Sequence, residues 1–169
     1  MKNFKTLLLI AVLTLGIGGV ANAQKIGHID TDLLIKSMPA TKAMEAELQK
    51  TQKTYKDEID ALGKKYEAKL QKYSAEEKAQ TAETNEQRKA EVQQDALRIQ
   101  QAEQFANQEM QKKYAELMNP ILEKAQKAIK DVAAEKGLTY VFNSSPGKGL
   151  LVFDKGIDIY AAVKAKLGF

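Results

Sequence analysis

The 169-residue sequence has no cysteine and no tryptophan, and only one histidine and three prolines. Without cysteine it cannot carry a disulfide framework, a thiol nucleophile, a thiolate-bound metal or cluster, or a lipid-modified cysteine near its amino end. The lone imidazole, His28, sits in a strand-like run between Ile26 and Ile29. Packing or a surface hydrogen bond suits it there, with pH sensing as the alternative, while metal binding would need partners that the sequence does not place beside it. No Gly-x-x-x-x-Gly-Lys-Ser/Thr loop occurs, and Gly147-Lys148-Gly149 reads as turn chemistry, not a phosphate cradle. Paired acids such as Glu76 and Glu77 fall in a polar stretch with no burial to tune them. No acid, base, nucleophile or metal set converges, so the sequence predicts a protein that is not an enzyme and binds no cofactor and no metal.

What is present begins with an address. In residues 1–23, Lys2 and Lys5 occur with no acid, residues 7–20 are almost wholly apolar or glycine, and Ala21-Asn22-Ala23 puts small residues where a signal peptidase reads. This is the pattern of a bacterial secretory signal peptide, with cleavage expected after Ala23 and the periplasm as destination. The apolar run is shorter than about 18 residues and none like it follows, which argues against a retained membrane span. Losing two lysines lowers the formal net charge from +4 to about +2. An exported chain has no ATP supply, so whatever it does must run on binding free energy.

The remainder divides into a small body and a long arm. Lys25-Ile26-Gly27-His28-Ile29-Asp30 reads as a strand, and Asp30, Thr31 and Asp32 offer capping oxygens before Leu33-Leu34-Ile35, one helical turn that stops around Pro39. Residues 40–136 contain no glycine except Gly63 and no proline except Pro120. Ala, Glu, Lys and Gln dominate there, all strong helix formers. Met44, Leu48, Tyr55, Ile59, Leu62, Tyr66, Leu70 and Tyr73 recur near 3.5 residues apart, as do Val92, Ala96, Ile99, Ala106, Met110, Tyr114, Leu117, Ile121, Ala125, Ala128 and Val132, the spacing of coiled-coil seams. The seam lapses between Tyr73 and Val92, which predicts an antiparallel helical hairpin with its tip near residues 75–88 and a first limb of roughly 50 Å.

After Gly137, a helix stop, Leu138-Thr139-Tyr140-Val141-Phe142-Asn143 and Leu150-Leu151-Val152-Phe153 flank turn residues and predict a β-hairpin. Asp158 caps a last helix in which Ile159, Val163 and Leu167 share a face. The predicted fold is α+β, mostly α. Its body is residues 24–39 (first strand and short helix) and 137–169 (β-hairpin and C-terminal helix), with residues 40–136 as a projecting arm. A body of about 49 residues cannot easily bury a sufficient core, so self-association through the sheet is expected.

Residues 40–136 carry 18 Lys and Arg against 18 Asp and Glu. Interleaved signs mark solvated flanks and no nucleic-acid partner. Lys64, Lys65, Lys69, Arg88 and Lys89 are a candidate local basic patch. Tyr55, Tyr66, Tyr73, Phe105, Met110 and Met118 either pack the two-helix seam or face a binding partner, since a two-helix arm has little interior. Pro120 removes a backbone donor from the returning helix, giving a hinge or a fixed kink near the base.

In order, the signal segment, Lys25-Ile26-Gly27-His28-Ile29-Asp30, the Ala/Glu/Lys/Gln hairpin, Asn119-Pro120-Ile121-Leu122, Ala128-Ile129-Lys130-Asp131-Val132-Ala133, Lys136-Gly137-Leu138-Thr139-Tyr140-Val141-Phe142 and Ile157-Asp158-Ile159 resemble the Skp (OmpH) family of periplasmic chaperones. The resemblance spans essentially the whole mature chain. It implies a jellyfish-like homotrimer, with a β-rich body and helical tentacles enclosing a cavity. It also implies ATP-independent holding of unfolded outer-membrane β-barrel proteins against aggregation in transit. Matching segments put Ile26, Ile29, Leu138, Tyr140, Phe142, Leu150 and Val152 in the trimerisation body, and client contact on the arms' inner faces. Members with strongly basic arms attract acidic clients, lipopolysaccharide and anionic membrane surfaces; these charge-balanced arms imply only weak contact with an anionic membrane surface and weak, less salt-dependent steering. The alternative to a chaperone is a structural or tethering coiled coil of the cell envelope.

Overall fold

The computed structural model describes residues 25–152 and 155–169. The expected signal peptide, Gln24 and Phe153 lie outside the described residues. The first strand, β1 (Ile26–Ile29), ends at Asp30, whose carboxylate accepts from the Leu33 backbone N–H at 2.9 Å and caps α1 (Thr31–Ser37). The two apolar seams then form two long helices, α2 (Pro39–Glu76) and α3 (Ala82–Glu135). Pro39 has a double effect. It forces Met38 into extended backbone, which ends α1, and its fixed φ and missing donor suit the first position of α2.

The hairpin turns within a short 3-10 segment (Glu77–Ala79), and Gln80 and Thr81 are extended. Thr81 caps α3 through Thr84 N–H at 3.1 Å, and Asn85 Nδ2 donates to the Glu77 carbonyl at 3.0 Å. That cap places residues 82–88 in the returning helix, so the tip is tighter than the seam gap suggests. At 1.5 Å per residue the 38 residues of α2 reach about 57 Å and the 54 of α3 about 81 Å. Helix α3 runs unbroken through Pro120 and ends in a Schellman motif, with Leu138 N–H to Ala133 O at 2.9 Å, Gly137 N–H to Ala134 O at 3.1 Å and Gly137 at φ +62°.

Among the described residues the expected β-hairpin is not formed. Strand β2 (Tyr140–Asn143) pairs in parallel with β1, in the register Ile26↔Tyr140 to Ile29↔Asn143. The other side of β1 is taken, also in parallel, by β3 (Ile157–Asp158), and the order is β2-β1-β3. Leu150 to Val152 belong to no strand of this sheet. Parallel neighbours need long crossovers. The whole helical arm is one, and residues 144–156 are the other.

A polar knot explains why the chain leaves β2 sideways. Ser145 is buried, and its Oγ lies 2.7 Å from both Asp30 Oδ1 and Asn143 Oδ1 while accepting from Asp32 N–H at 3.1 Å. Asn143 Oδ1 also accepts from Ser145 N–H at 2.9 Å. The segment after β2 is thereby tied to the start of α1, not folded back along its own strand.

Helix α4 (Tyr160–Leu167) lays Ile159 and Val163 into the core with Ile29, Leu34, Met38 and Val132; Leu167 is half-buried beside them. Asp158 accepts from Tyr160 N–H at 2.8 Å, and Gly168 ends the helix at φ +85°. The core continues a short way up the arm through Met44, Ile121, Ala125 and Ala128.

Gly27 sits in the central strand, where an added Cβ would meet Leu138 Cδ1 at 2.6 Å and the Ile157 carbonyl at 3.2 Å. Gly27→Ala is expected to lower stability by about 1–2 kcal/mol, read as a lower melting temperature; an unchanged value would show that Leu138 yields freely. Asp30 supplies the second expectation. The Leu33 N–H, followed by the Ser145 hydroxyl, holds its carboxyl below the usual value. The ionised carboxylate therefore adds stability that is present above the unfolded-state value and is lost as pH falls through the lowered folded value. In urea unfolding, Asp30→Asn should be less stable than wild type at neutral pH and converge on it below about pH 4. A gap independent of pH would exclude the charge as the cause.

Candidate functional site

Two surfaces stand out, one on the body and one along the arm. In β1 the side chains alternate, so Gly27 and Ile29 face the core while Ile26 and His28 face outward. The register sets Tyr140 beside Ile26 and Phe142 beside His28. Ile26, Tyr140 and Phe142 are each about half exposed, and the two rings lie 6.3 Å apart. His28 is itself buried, with Nδ1 3.3 Å from Ser144 Oγ. Among the residues the resemblance assigned to the body, Ile29 is fully buried inside its own chain, in the core between the sheet and the helices. Leu138 is half-buried against the same core and Leu150 is half-buried, whereas Val152 stands out. Leu151, 92% exposed, and Ile157, which the register sets beside Gly27 on the other side of the sheet, are further exposed apolar residues of the body that the sequence reading did not single out.

The arm has a core only at its base. Beyond Met44 on α2 and Ile121 on α3, Ala106 is the one buried residue among those described up to the tip. The seam's Leu48, Tyr55, Ile59, Leu62, Tyr66 and Tyr73 are half-buried, as are Val92, Ile99, Met110 and Leu117 opposite. Polar braces do much of the joining. Glu47 meets Lys113 at 2.9 Å, which holds the carboxyl low and the ammonium high. Lys69 pairs with Asp95, which raises its pKa, and the Tyr73 hydroxyl donates to Glu91 at 2.6 Å, which raises that of the phenol. Arg88 lies 4.5 Å over the Tyr73 ring and bonds Glu76 at 2.6 Å. These pairs correct the expected basic patch. Lys69 and Arg88 are spent on acids of the neighbouring helix, and only Lys64, Lys65 and Lys89 remain exposed.

The aromatic and methionine candidates separate into groups. Tyr55 and Phe105 meet edge to face at 6.2 Å and 85°, and Phe105 keeps 56% of its surface in solvent. Tyr55, Ile59, Ala106 and Met110 floor an open groove of about 1050 Å³ rimmed by Lys50 and Lys53. Tyr66 lies in a separate cleft with Leu62 and Ile99, Tyr73 belongs to the tip brace, and Met118 packs on the base core. Pro120 lines a smaller apolar groove at the base with Met44, Leu117 and Ile121. Leu70 and Tyr114, though at seam positions, are exposed, and exposed Leu97 and Leu122 were not singled out by the sequence reading. Leu97 and Leu122 fall off the second seam's spacing, and that was the available signal. Among the described residues no helix is long and apolar enough to cross a membrane.

The fold has a counterpart among solved structures. The crystal structure of an OmpH-like candidate outer membrane chaperone from Caulobacter crescentus superposes with a TM-score of 0.76 at 16% identity, over 85% of this chain and 83% of that one. No curated protein shows significant sequence similarity. The model of the family described as outer membrane protein (OmpH-like) matches residues 25–167, nearly all of the chain beyond the leading segment. The chain therefore belongs to the OmpH-like family.

Proposed function

We propose that this protein is an ATP-independent holdase of the periplasm. It assembles through the outer face of its sheet into a homotrimer, and its arms surround unfolded outer-membrane proteins in transit and keep them from aggregating. One observation carries the reading: an arm of more than 50 Å that, apart from Ala106, buries side chains only at its base and leaves apolar groups half exposed along the rest. Such surface is a liability in a free rod and an asset in a cage, where many weak contacts sum to useful avidity. Family membership and the related fold support it.

Assembly follows from the body. Ile26, Tyr140 and Phe142 form an apolar face on the three-stranded sheet, and Leu151 and Val152 elsewhere in the body are exposed and belong to no strand among the described residues. Covering that face with copies of the same body is the economical remedy.

Val152→Asp is expected to give monomers by light scattering behind size exclusion, and a persisting assembly would move the interface elsewhere. The wild-type mature chain, mixed with a urea-unfolded outer-membrane β-barrel protein on dilution, should elute as a soluble three-chain complex with the client. Precipitation of the client while the protein elutes unchanged would favour an envelope tether with a folded partner. Phe105→Ser with Met110→Ser should weaken client holding roughly tenfold while leaving the assembly intact; unchanged holding would exclude the mid-arm groove.

A further inference from the structure

The back of the returning helix carries a pattern that its seam does not require. Gln101, Gln104, Gln108 and Gln111 follow at steps of three and four residues, on the side of α3 opposite the buried Ala106. Leu97 extends the line toward the tip and Leu122 toward the base, and all six are exposed. From Leu97 to Leu122 the line runs about 38 Å. Arg98, Glu103, Glu109, Lys113 and Glu116 all lie off it, and Lys112 stands at its border. The side of α2 away from its seam is built differently: Asp57 and Lys64 are exposed there, and Lys50 and Lys53 stand between it and the mid-arm groove. The four glutamine side chains hydrogen-bond to nothing within the described chain.

Charges would keep this face soluble at no cost to the helix, as they do on α2. An uncharged amide differs in offering donors and an acceptor together, where a carboxylate only accepts and an ammonium only donates. The one polar feature that every unfolded chain repeats, whatever its sequence, is the peptide group with the same pair of functions. A permanent helix-helix seam would use apolar residues at 3.5-residue spacing, as the α2–α3 seam does, and an anionic polymer or lipid would call for lysines.

Resting on the holdase reading, we propose that this strip is where extended segments of unfolded polypeptide dock. The glutamine amides bond exposed peptide N–H and C=O groups, and Leu97 and Leu122 accept neighbouring apolar side chains. Successive amides lie about 5 Å apart along the helix, whereas an extended chain repeats on each face every 6.6 Å or so. No register is favoured, so recognition is independent of sequence and the client can slide.

The test uses the full mature chain and a fluorescently labelled, urea-unfolded outer-membrane β-barrel protein. One variant carries Gln101→Ala, Gln104→Ala, Gln108→Ala and Gln111→Ala, which keeps the helix and its neutrality and deletes only the amides. A second carries Glu at the same four positions. Both should bind the client roughly tenfold more weakly, with wild-type circular dichroism and mass. Wild-type affinity in either variant overturns the strip. A changed mass of the free variants overturns it too, in favour of a second copy as the occupant. If the wild type itself holds no unfolded chain, the holdase reading and the strip fall together; if it holds and the variants hold equally, only the strip falls.

Discussion

Two helices side by side can bury only the strip along which they touch, and the rest of this structure is arranged around that limit. Apart from Ala106, burial is confined to the base, where the sheet, α1 and α4 supply third and fourth neighbours to Met44, Ile121, Ala125, Ala128 and Val132. Farther out no third element exists. The seam side chains are half wet, and each contributes a fraction of what full burial of a Leu or Phe would. Ion pairs and the tyrosine braces keep the limbs in register there, and each is worth little singly because water competes for it. Stability is thus graded along the arm, from a packed root to a thinly held shaft, and the shaft is where a structure opens at low cost.

The parallel sheet ties that arm to the body. Because β1 and β2 are parallel, their connection must be a long crossover, and the whole hairpin is that connection. Both of its ends enter the same small core, one through Pro39 and Met38 and the other through the Schellman turn at Gly137. A strand pair joined this way cannot slip without dragging the roots of both long helices. The polar knot of Asp30, Asn143 and Ser145 locks the register from the other end of the strands, satisfying the first turn of α1 at the same time.

Local physics made much of this legible in the residues. Helix propensity and 3.5-residue spacing located both limbs, Asp30 announced its cap, and Gly137 and Gly168 marked helix ends. Pairing partners were not legible. Ser144-Ser145-Pro146-Gly147-Lys148-Gly149 between two apolar runs is hairpin chemistry, yet Ser145 is held from the far end of the chain by Asp30, 115 residues away. The basic patch dissolved for the same reason, since Lys69 and Arg88 meet acids 26 and 12 residues distant across the hairpin. The core position of Ile29 was not legible either, because alternation alone does not say which face of a strand its own chain will cover. The partial exposure of Tyr55, Phe105 and Met110 was legible, because aromatic and methionine residues on a limb with little interior must remain near the surface.

The charge balance of the arm then bears on how it could work. With 18 positive and 18 negative side chains in residues 40–136, and several of them turned inward as braces, little net field is left to draw in a partner from a distance. Capture must rest on short-range contacts, which are indifferent to ionic strength and to the partner's own charge. Short-range contacts are weak one at a time, so they require length and repetition, and a limb of many turns with the same chemistry recurring at each supplies both. A binding surface of this kind gives up tightness at any one point for tolerance of many sequences, which a partner without fixed structure requires.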